Sequence, residues 1–181
     1  MLTLGTVVEA LTGRSFPFLD QVITDGAIDS RLAIPGSMFV ALPGERTDGH
    51  EHVGEAFERG ALAALVDREL PGPWPTLDLR TPPEEAPVRA VRPPVCLRVA
   101  GTLAGLQTAA GYWRSKLRVR VIGITGSVGK SSSKELAAEV LEGRYRTLRN
   151  PGNLNNEIGL PLSLLRLTEM HERAVLEMGF Y

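Results

Sequence analysis

The stretch VIGITGSVGKSSSKE, residues 121–135, decides the fold. With Val119 just before it, Val121 and Ile122 make a short apolar run of the kind that forms a strand. A glycine-bearing turn follows, and Lys130 then opens a run with helical periodicity. A strand that enters such a turn and leaves as a helix gathers backbone N–H groups and the positive end of a helix dipole around one point, where phosphate binds. Gly126 and Gly129 let the backbone approach the anion closely, Lys130 reaches the β- and γ-phosphates, and the Ser131 hydroxyl ligates Mg²⁺. The general pattern G-x-x-x-x-G-K-[ST] departs here at one place: it asks for glycine where this chain has Ile124, and Gly123 stands one position early. The competing interpretation is a glycine turn ahead of a lysine-bearing helix with no ligand. The strand–loop–helix context favours phosphate.

The rest of the chain is read outward from this loop. Its 181 residues suffice for one large domain or two small ones. At 43% hydrophobic and 23% charged, the composition is that of an ordinary globular protein. A net charge of −1 argues against broad attraction to nucleic acid or to an anionic membrane surface. One cysteine, Cys96 between Val95 and Leu97, excludes an internal disulfide and reads as a small buried apolar residue. No apolar run is long enough to span a bilayer, and MLTLGTVVEALTG has neither a basic start nor a cleavage site, so the cytoplasm is the expected location.

Eight of the thirteen prolines fall between Pro71 and Pro94, which predicts an extended, irregular segment. We read it as a linker at about 71–94 dividing domain 1–94 from domain 95–181; the alternative is a long surface loop within one domain. TLDL, inside it, is a candidate short strand of the first domain. Upstream, TVVEALTG predicts a helix closed by Gly13, GSMFVAL a buried strand, and GHEHVGEAFERGALAALVD a helix, Gly60 and a strand through Leu65. Downstream, Leu103, Leu106, Ala110 and Trp113 form one helical stripe, and Leu136, Ala137, Val140 and Leu141 another, with Gly143 as its C-cap. RAVLEMGF predicts a further buried strand.

The motifs together resemble the Mur ligase family. GITGSVGKSSSKE is similar to that family's ATP loop, whose pattern T-G-x-x-G-K-[ST] has no leading glycine, so Ile124 is a family mark. NPGNLNNEIGLPLSLLRL, residues 150–167, resembles the N-x-N-N-E-I-G-x-P signature of the MurF type, and VLEMG matches as well. Upstream, IDSRLAIPGSMFVALPGERTDGHEHVGEAFERGALAALV resembles the uridine-nucleotide domain shared by the MurE and MurF types, through its D-S-R, F-V-A-L-x-G and D-G-H elements. The fold implied is α/β: a small uridine-nucleotide-binding domain, then the start of a phosphate-loop ATPase domain with a mostly parallel sheet.

The resemblance implies an ATP-dependent amide ligase of peptidoglycan precursor synthesis. Such an enzyme joins D-Ala-D-Ala to UDP-MurNAc-tripeptide through an acyl phosphate, uses ATP and Mg²⁺, and acts as a monomer at full length. Carried over residue by residue, it implies ATP binding by Thr125, Gly126, Ser127, Val128, Gly129, Lys130, Ser131, Ser132 and Asn156. Lys130 is the catalytic cation, and Ser131 with Glu177 holds the metal. Ser30, Arg31 and His50 hold the uridine diphosphate substrate, with arginine suited to a pyrophosphate through paired hydrogen bonds. Chemistry alone leaves alternatives beside several of these roles. Glu177 can be a carboxylate solvated at the end of a strand, Asn153, Asn155 and Asn156 can be turn residues before a helix, Arg31 a surface residue, and His50 a structural residue at a helix start. His52 and His171 read as surface residues, and no spacing suggests zinc.

In this family the ATPase domain continues beyond the EMG strand and a third domain follows it. The 181-residue chain is therefore expected to lack ligase turnover by itself and to expose sheet edges and apolar faces. Other possibilities are a MurE-type ligase adding the third amino acid, a folylpolyglutamate synthase, and a nucleotide-sugar-binding module without catalysis. NLNNEIGLP argues against the first two.

Overall fold

A computed structural model describes residues 1–44, 47–152 and 154–179. The chain divides into two compact units, one over Leu2–Ala109 and the other comprising Met1 and the residues from Ala110 onward. Each unit is built on a parallel sheet.

The first unit opens with α1 (Leu4–Thr12), capped by the Thr3 hydroxyl, which accepts from the Thr6 amide, and closed by Gly13 as expected. Strands β1 (Gly26–Ala27), β2 (Met38–Val40) and β3 (Ala63–Val66) follow, with α2 (Val53–Glu58) between the last two. Then come β4 (Thr76–Asp78), α3 (Glu85–Ala90) and β5 (Val95–Arg98), and the sheet order is β1-β2-β3-β5-β4. Parallel strands need crossovers, and a sheet covered on both faces needs strands that are apolar throughout. Every residue of AALV in β3, the middle strand, is accordingly buried. One face of the sheet packs Phe39, Ala64 and Cys96 with Val53, Ala56 and Phe57 of α2, and Phe57 meets Trp74 edge to face with ring centroids 5.2 Å apart. Cys96 is the small buried apolar residue expected, and burial pushes its thiol up to about 11.

The proline-rich segment does not divide the units here. The short strand expected at TLDL is β4, and β5, placed after the linker in the sequence reading, pairs with both β3 and β4 inside the first sheet. The division falls instead at Ala110, within α4 (Thr102–Lys116). Proline was expected to exclude a helix from 71–94, yet Pro87 sits in the first turn of α3, where backbone N–H groups have no intrahelical partner to lose.

The second unit runs β6 (Arg120–Ile124), α5 (Lys130–Glu142), β7 (Thr147–Arg149), α6 (Gly159–Leu165) and β8 (Arg173–Glu177), with sheet order β6-β8-β7. β8, in the middle, is buried from Ala174 to Glu177, whereas β6 is largely open, with Ile122 39% exposed. On α4, Leu106, Ala110 and Trp113 are buried as the stripe predicts, and Trp113 donates its indole N–H to the Leu167 carbonyl at 2.9 Å. The stripe on α5 turns out otherwise. Leu136 and Val140 are 64% and 71% exposed, and the residues buried on that helix are Lys134 and Ala138. Periodicity shows that a helix has an apolar face, but not what stands against it. Gly143 does occupy the C-cap of α5, in a right-handed conformation that any residue could adopt. Among the described residues no helix is long and apolar enough to cross a membrane.

Leu65 is fully buried in β3. Leu65→Ala removes three carbons from a site with little room to collapse and is expected to cost about 2–5 kcal/mol of stability. Urea denaturation followed by circular dichroism checks this; a change below about 1 kcal/mol would mean that the first sheet is loosely packed.

Candidate functional site: a phosphate loop beside a buried carboxylate

In the second unit, the register Ile124↔Glu177 brings the carboxyl ends of β6 and β8 side by side. This is the edge at which open parallel sheets place ligands. Residues 125–129 leave β6 there as an exposed loop. Gly126 and Gly129 have φ of +145° and +79°, values that residues with a Cβ rarely adopt, which is the physical need for glycine at both positions. Gly129 is also the residue from which α5 starts. Thr125, Gly126, Ser127, Val128 and Gly129 thus form the loop, and Lys130, Ser131 and Ser132 the first turn of the helix, as the sequence predicts. The Lys130 ammonium donates to the Gly126 carbonyl at 2.8 Å, folding the side chain back over its own loop.

Glu177 ends β8 with only 2% of its surface exposed. Both carboxylate oxygens are occupied: Oε2 accepts from the Ser131 hydroxyl at 2.8 Å, and Oε1 from the Asn155 amide at 2.6 Å. Burial works to raise this carboxyl. The hydrogen bonds from Ser131 and Asn155, with the ammonium groups of Lys134 and Lys130, outweigh it and hold the group below the usual carboxylate range. The alternative of a strand-end carboxylate in solvent therefore does not describe Glu177. Ser131 and Glu177 present hard oxygen donors 2.8 Å apart, a set that fits Mg²⁺, which commonly takes one or two protein oxygens and fills its shell with phosphate and water.

Of Asn155 and Asn156, Asn155 reaches the cluster. The Asn156 side chain accepts from the Ile158 and Gly159 amides at 3.3 and 2.7 Å and so shapes the turn into α6, while Asn153 lies outside the described residues. Two residues missed by the sequence reading complete the network. Asn150 is buried, and its side chain accepts from the Glu177 amide at 2.8 Å and donates to the Glu177 carbonyl at 3.1 Å. Lys134, 1% exposed, donates to the Asn150 and Gly152 carbonyls, both at 2.9 Å. The one available signal was spacing: Lys134 lies four residues after Lys130 and so shares its helix face.

The first unit carries a cleft of about 530 Å³ lined by Asp29, Ser30, Arg31, Thr47, His52 and Glu55 among others. Asp29 caps the short turn Ser30–Leu32 by accepting from the Arg31 amide. Ser30 donates its hydroxyl proton to Glu55 at 2.6 Å, and this bond chiefly holds the Glu55 carboxyl below its usual range. Ser30 and Arg31 thus meet at one cleft, as expected. The Arg31 fork, however, is taken by Asp29, through Nε at 2.9 Å and Nη2 at 2.6 Å, so a diphosphate must share or displace that carboxylate. His50 is not among the residues lining this cleft. It is buried, with Nδ1 2.6 Å from Asp48 and Nε2 accepting from the Asp67 amide, and it borders a separate cleft with Arg68 and Trp74.

The Arg31 guanidinium, followed by the Arg31 backbone amide, lowers the Asp29 carboxyl from 3.8 to about 2. A lowered carboxyl adds stability that is fully present above pH 3.8 and is lost as pH falls through about 2. In Arg31→Ala the backbone amide remains, so the Asp29 value is expected to return most but not all of the way to 3.8, as read by a carboxyl-carbon NMR titration. An unchanged value would break the pairing.

Residues 23–72 match the Mur ligase family, catalytic domain, and residues 124–181 the Mur ligase middle domain. The chain is 39% identical over 179 residues to the UDP-N-acetylmuramoyl-tripeptide–D-alanyl-D-alanine ligase of Bacillus subtilis, covering 98% of this chain and 35% of that protein. It is also 39% identical over 181 residues to the Escherichia coli protein of the same name, with the same coverage. A crystal structure of MurF from Acinetobacter baumannii superposes with a TM-score of 0.75 at 31% identity, over 99% of this chain and 36% of that one. MurF ligase from Thermotoga maritima in complex with ADP superposes with a TM-score of 0.64 at 30% identity, over 85% of this chain and 31% of that one. The chain spans about a third of the length of the curated relatives it matches. With one matched stretch on the unit that carries the Ser30–Arg31 cleft and the other on the unit that carries the phosphate loop, the chain belongs to the Mur ligase family.

Proposed function

We propose that the second unit grips ATP and the first holds a uridine-diphosphate-linked muramoyl peptide. In the full-length ligase they serve the ATP-dependent joining of D-Ala-D-Ala to UDP-MurNAc-tripeptide. The observation that carries this reading is the cluster of Lys130, Ser131, Asn155 and Glu177 at the carboxyl edge of a parallel sheet, beside a loop with two positive-φ glycines. The relatives' names supply the substrates. ATP is made in the cytoplasm, which is the compartment proposed.

The chemistry runs in two steps. A substrate carboxylate oxygen attacks the γ-phosphorus, and the β–γ bridging oxygen leaves with ADP. The amine nitrogen of the dipeptide then attacks the acyl carbon and loses a proton, and inorganic phosphate departs. Phosphoryl transfer asks the protein for positioning and charge neutralisation more than for covalent chemistry. Lys130 exchanges the Gly126 carbonyl for phosphate oxygens, and the start of α5 adds the positive end of its dipole to the same anion. Ser131 and Glu177 are the residues that would hold Mg²⁺, which when bound neutralises charge on the β- and γ-oxygens. In the first unit, the carboxylates of Asp29 and Glu55 suit the N–H and hydroxyl donors of a nucleotide sugar, and Arg31 suits its diphosphate.

Calorimetric titration of the chain with ADP and Mg²⁺ tests the second unit. Lys130→Ala is expected to weaken binding at least about tenfold, the scale of one charge-assisted contact to phosphate. A wild-type chain that binds no nucleotide, or a variant that binds equally well, would sink the proposal. For the first unit, Arg31→Ala is expected to weaken binding of UDP-MurNAc-tripeptide by a similar factor in the same experiment, and unaltered affinity would move the diphosphate elsewhere.

A further inference from the structure

Glu177 is held at its backbone as well as its side chain. β7 ends at Arg149, paired with Val175, and beyond that point the strands no longer supply each other with backbone partners. The Asn150 side chain takes over, accepting from the Glu177 amide and donating to the Glu177 carbonyl in place of a neighbouring strand. Asn150 is itself gripped from α5, where the buried Lys134 ammonium donates to its carbonyl and to that of Gly152. The Asn150 amide reaches on to the Leu154 carbonyl at 2.8 Å, next to Asn155. One buried cation therefore ties the helix that follows the phosphate loop to the segment that fixes Glu177 from two sides.

Resting on the ATP-binding reading above, we infer that Lys134 is a positioning residue for the Ser131–Glu177 pair, acting through Asn150 and Asn155 and not by contact with the nucleotide. Its stem lies along the face that α5 turns inward, four residues beyond Lys130, and its ammonium is spent on two carbonyls. The Glu177 carboxylate lies 4.0 Å away, and that of Glu135 3.2 Å away. An apolar residue at 134 would leave both carbonyls without this donor and release Asn150 and Gly152 from the helix. Glu177 would stay at the end of β8 but lose the partners that orient it. The phosphate loop, whose own bonds do not involve Lys134, would keep its shape.

The test is the ratio of ADP affinity with Mg²⁺ to that without it, measured by calorimetry on the 181-residue chain for wild type, Lys134→Met, Asn155→Ala and the double variant. Lys134→Met and Asn155→Ala are each expected to lower the ratio about tenfold, with metal-free ADP affinity changed less than about threefold. Residues that act through one network do not add, so the double variant is expected to fall no further than the lower single. Hydrogen exchange should show the Leu154 and Glu177 amides, bonded to Pro151 and Asn150, losing protection in Lys134→Met while the rest of β8 keeps its own. A wild-type ratio in Lys134→Met, or effects that multiply in the double variant, overturns the inference. If Lys134→Met does not fold, Lys134→Gln, whose shorter amide does not serve both carbonyls, is expected to lower the ratio severalfold, and a wild-type ratio in it overturns the inference. Lys130→Ala separates the two levels. If it abolishes ADP binding while Lys134→Met leaves the ratio intact, only the role of Lys134 fails; if neither variant changes ADP binding, the ATP-binding reading itself fails.

Discussion

A carboxylate buried in a protein must find partners for both oxygens or give up its charge. Glu177 meets that requirement at the end of the middle strand of the second sheet, and much of the local architecture follows from it. Ser131 has to be on the first turn of α5 to reach one oxygen, and Asn155 in the segment before α6 to reach the other. Asn150 has to follow β7 directly to hold the backbone. Both connections of one small sheet, otherwise free to wander, are thereby drawn to a single point.

The two units solve the same problem of parallel pairing with different completeness. In the first, five strands surround a core in which β3 is buried along its whole length, and helices and loops supply the crossovers. In the second, β8 is enclosed while Ile122 of β6 and Leu136 and Val140 of α5 face outward. The candidate site residues stand where strands end in both units. The groups gathered there differ: carboxylates and one arginine engaged with a neighbour in the first, and a lysine, amides and a shielded carboxylate in the second.

Local rules carried the sequence reading a long way. Strand and helix periodicity located β2, β3, β8, α1, α4 and α5, and the loop 125–129 was legible because its glycines, lysine and serine each answer a distinct physical need. Where the reading diverged, the cause was tertiary. The proline-rich stretch looked like a linker because proline speaks only of backbone conformation, and cannot announce that β5 will pair between β3 and β4. Lys134 was invisible because a lysine on a helix is usually solvated, and nothing in its neighbours signals two carbonyls converging on it. Arg31 was legible as a cleft residue but not as the partner of Asp29, two positions away, whose carboxylate already uses its fork. Between Asn155 and Asn156 only geometry decides.

The lysine that folds back on Gly126 gives the loop a particular thermodynamic character. Its ammonium is already desolvated on one side and its rotamers already restricted, so an incoming phosphate does not have to order it from solution. In the proposed nucleotide complex the change is one of acceptor, a neutral carbonyl traded for an anionic oxygen. Association of this kind resembles a switch of partners at a pre-shaped seat, and its cost lies in breaking one hydrogen bond and not in freezing a chain.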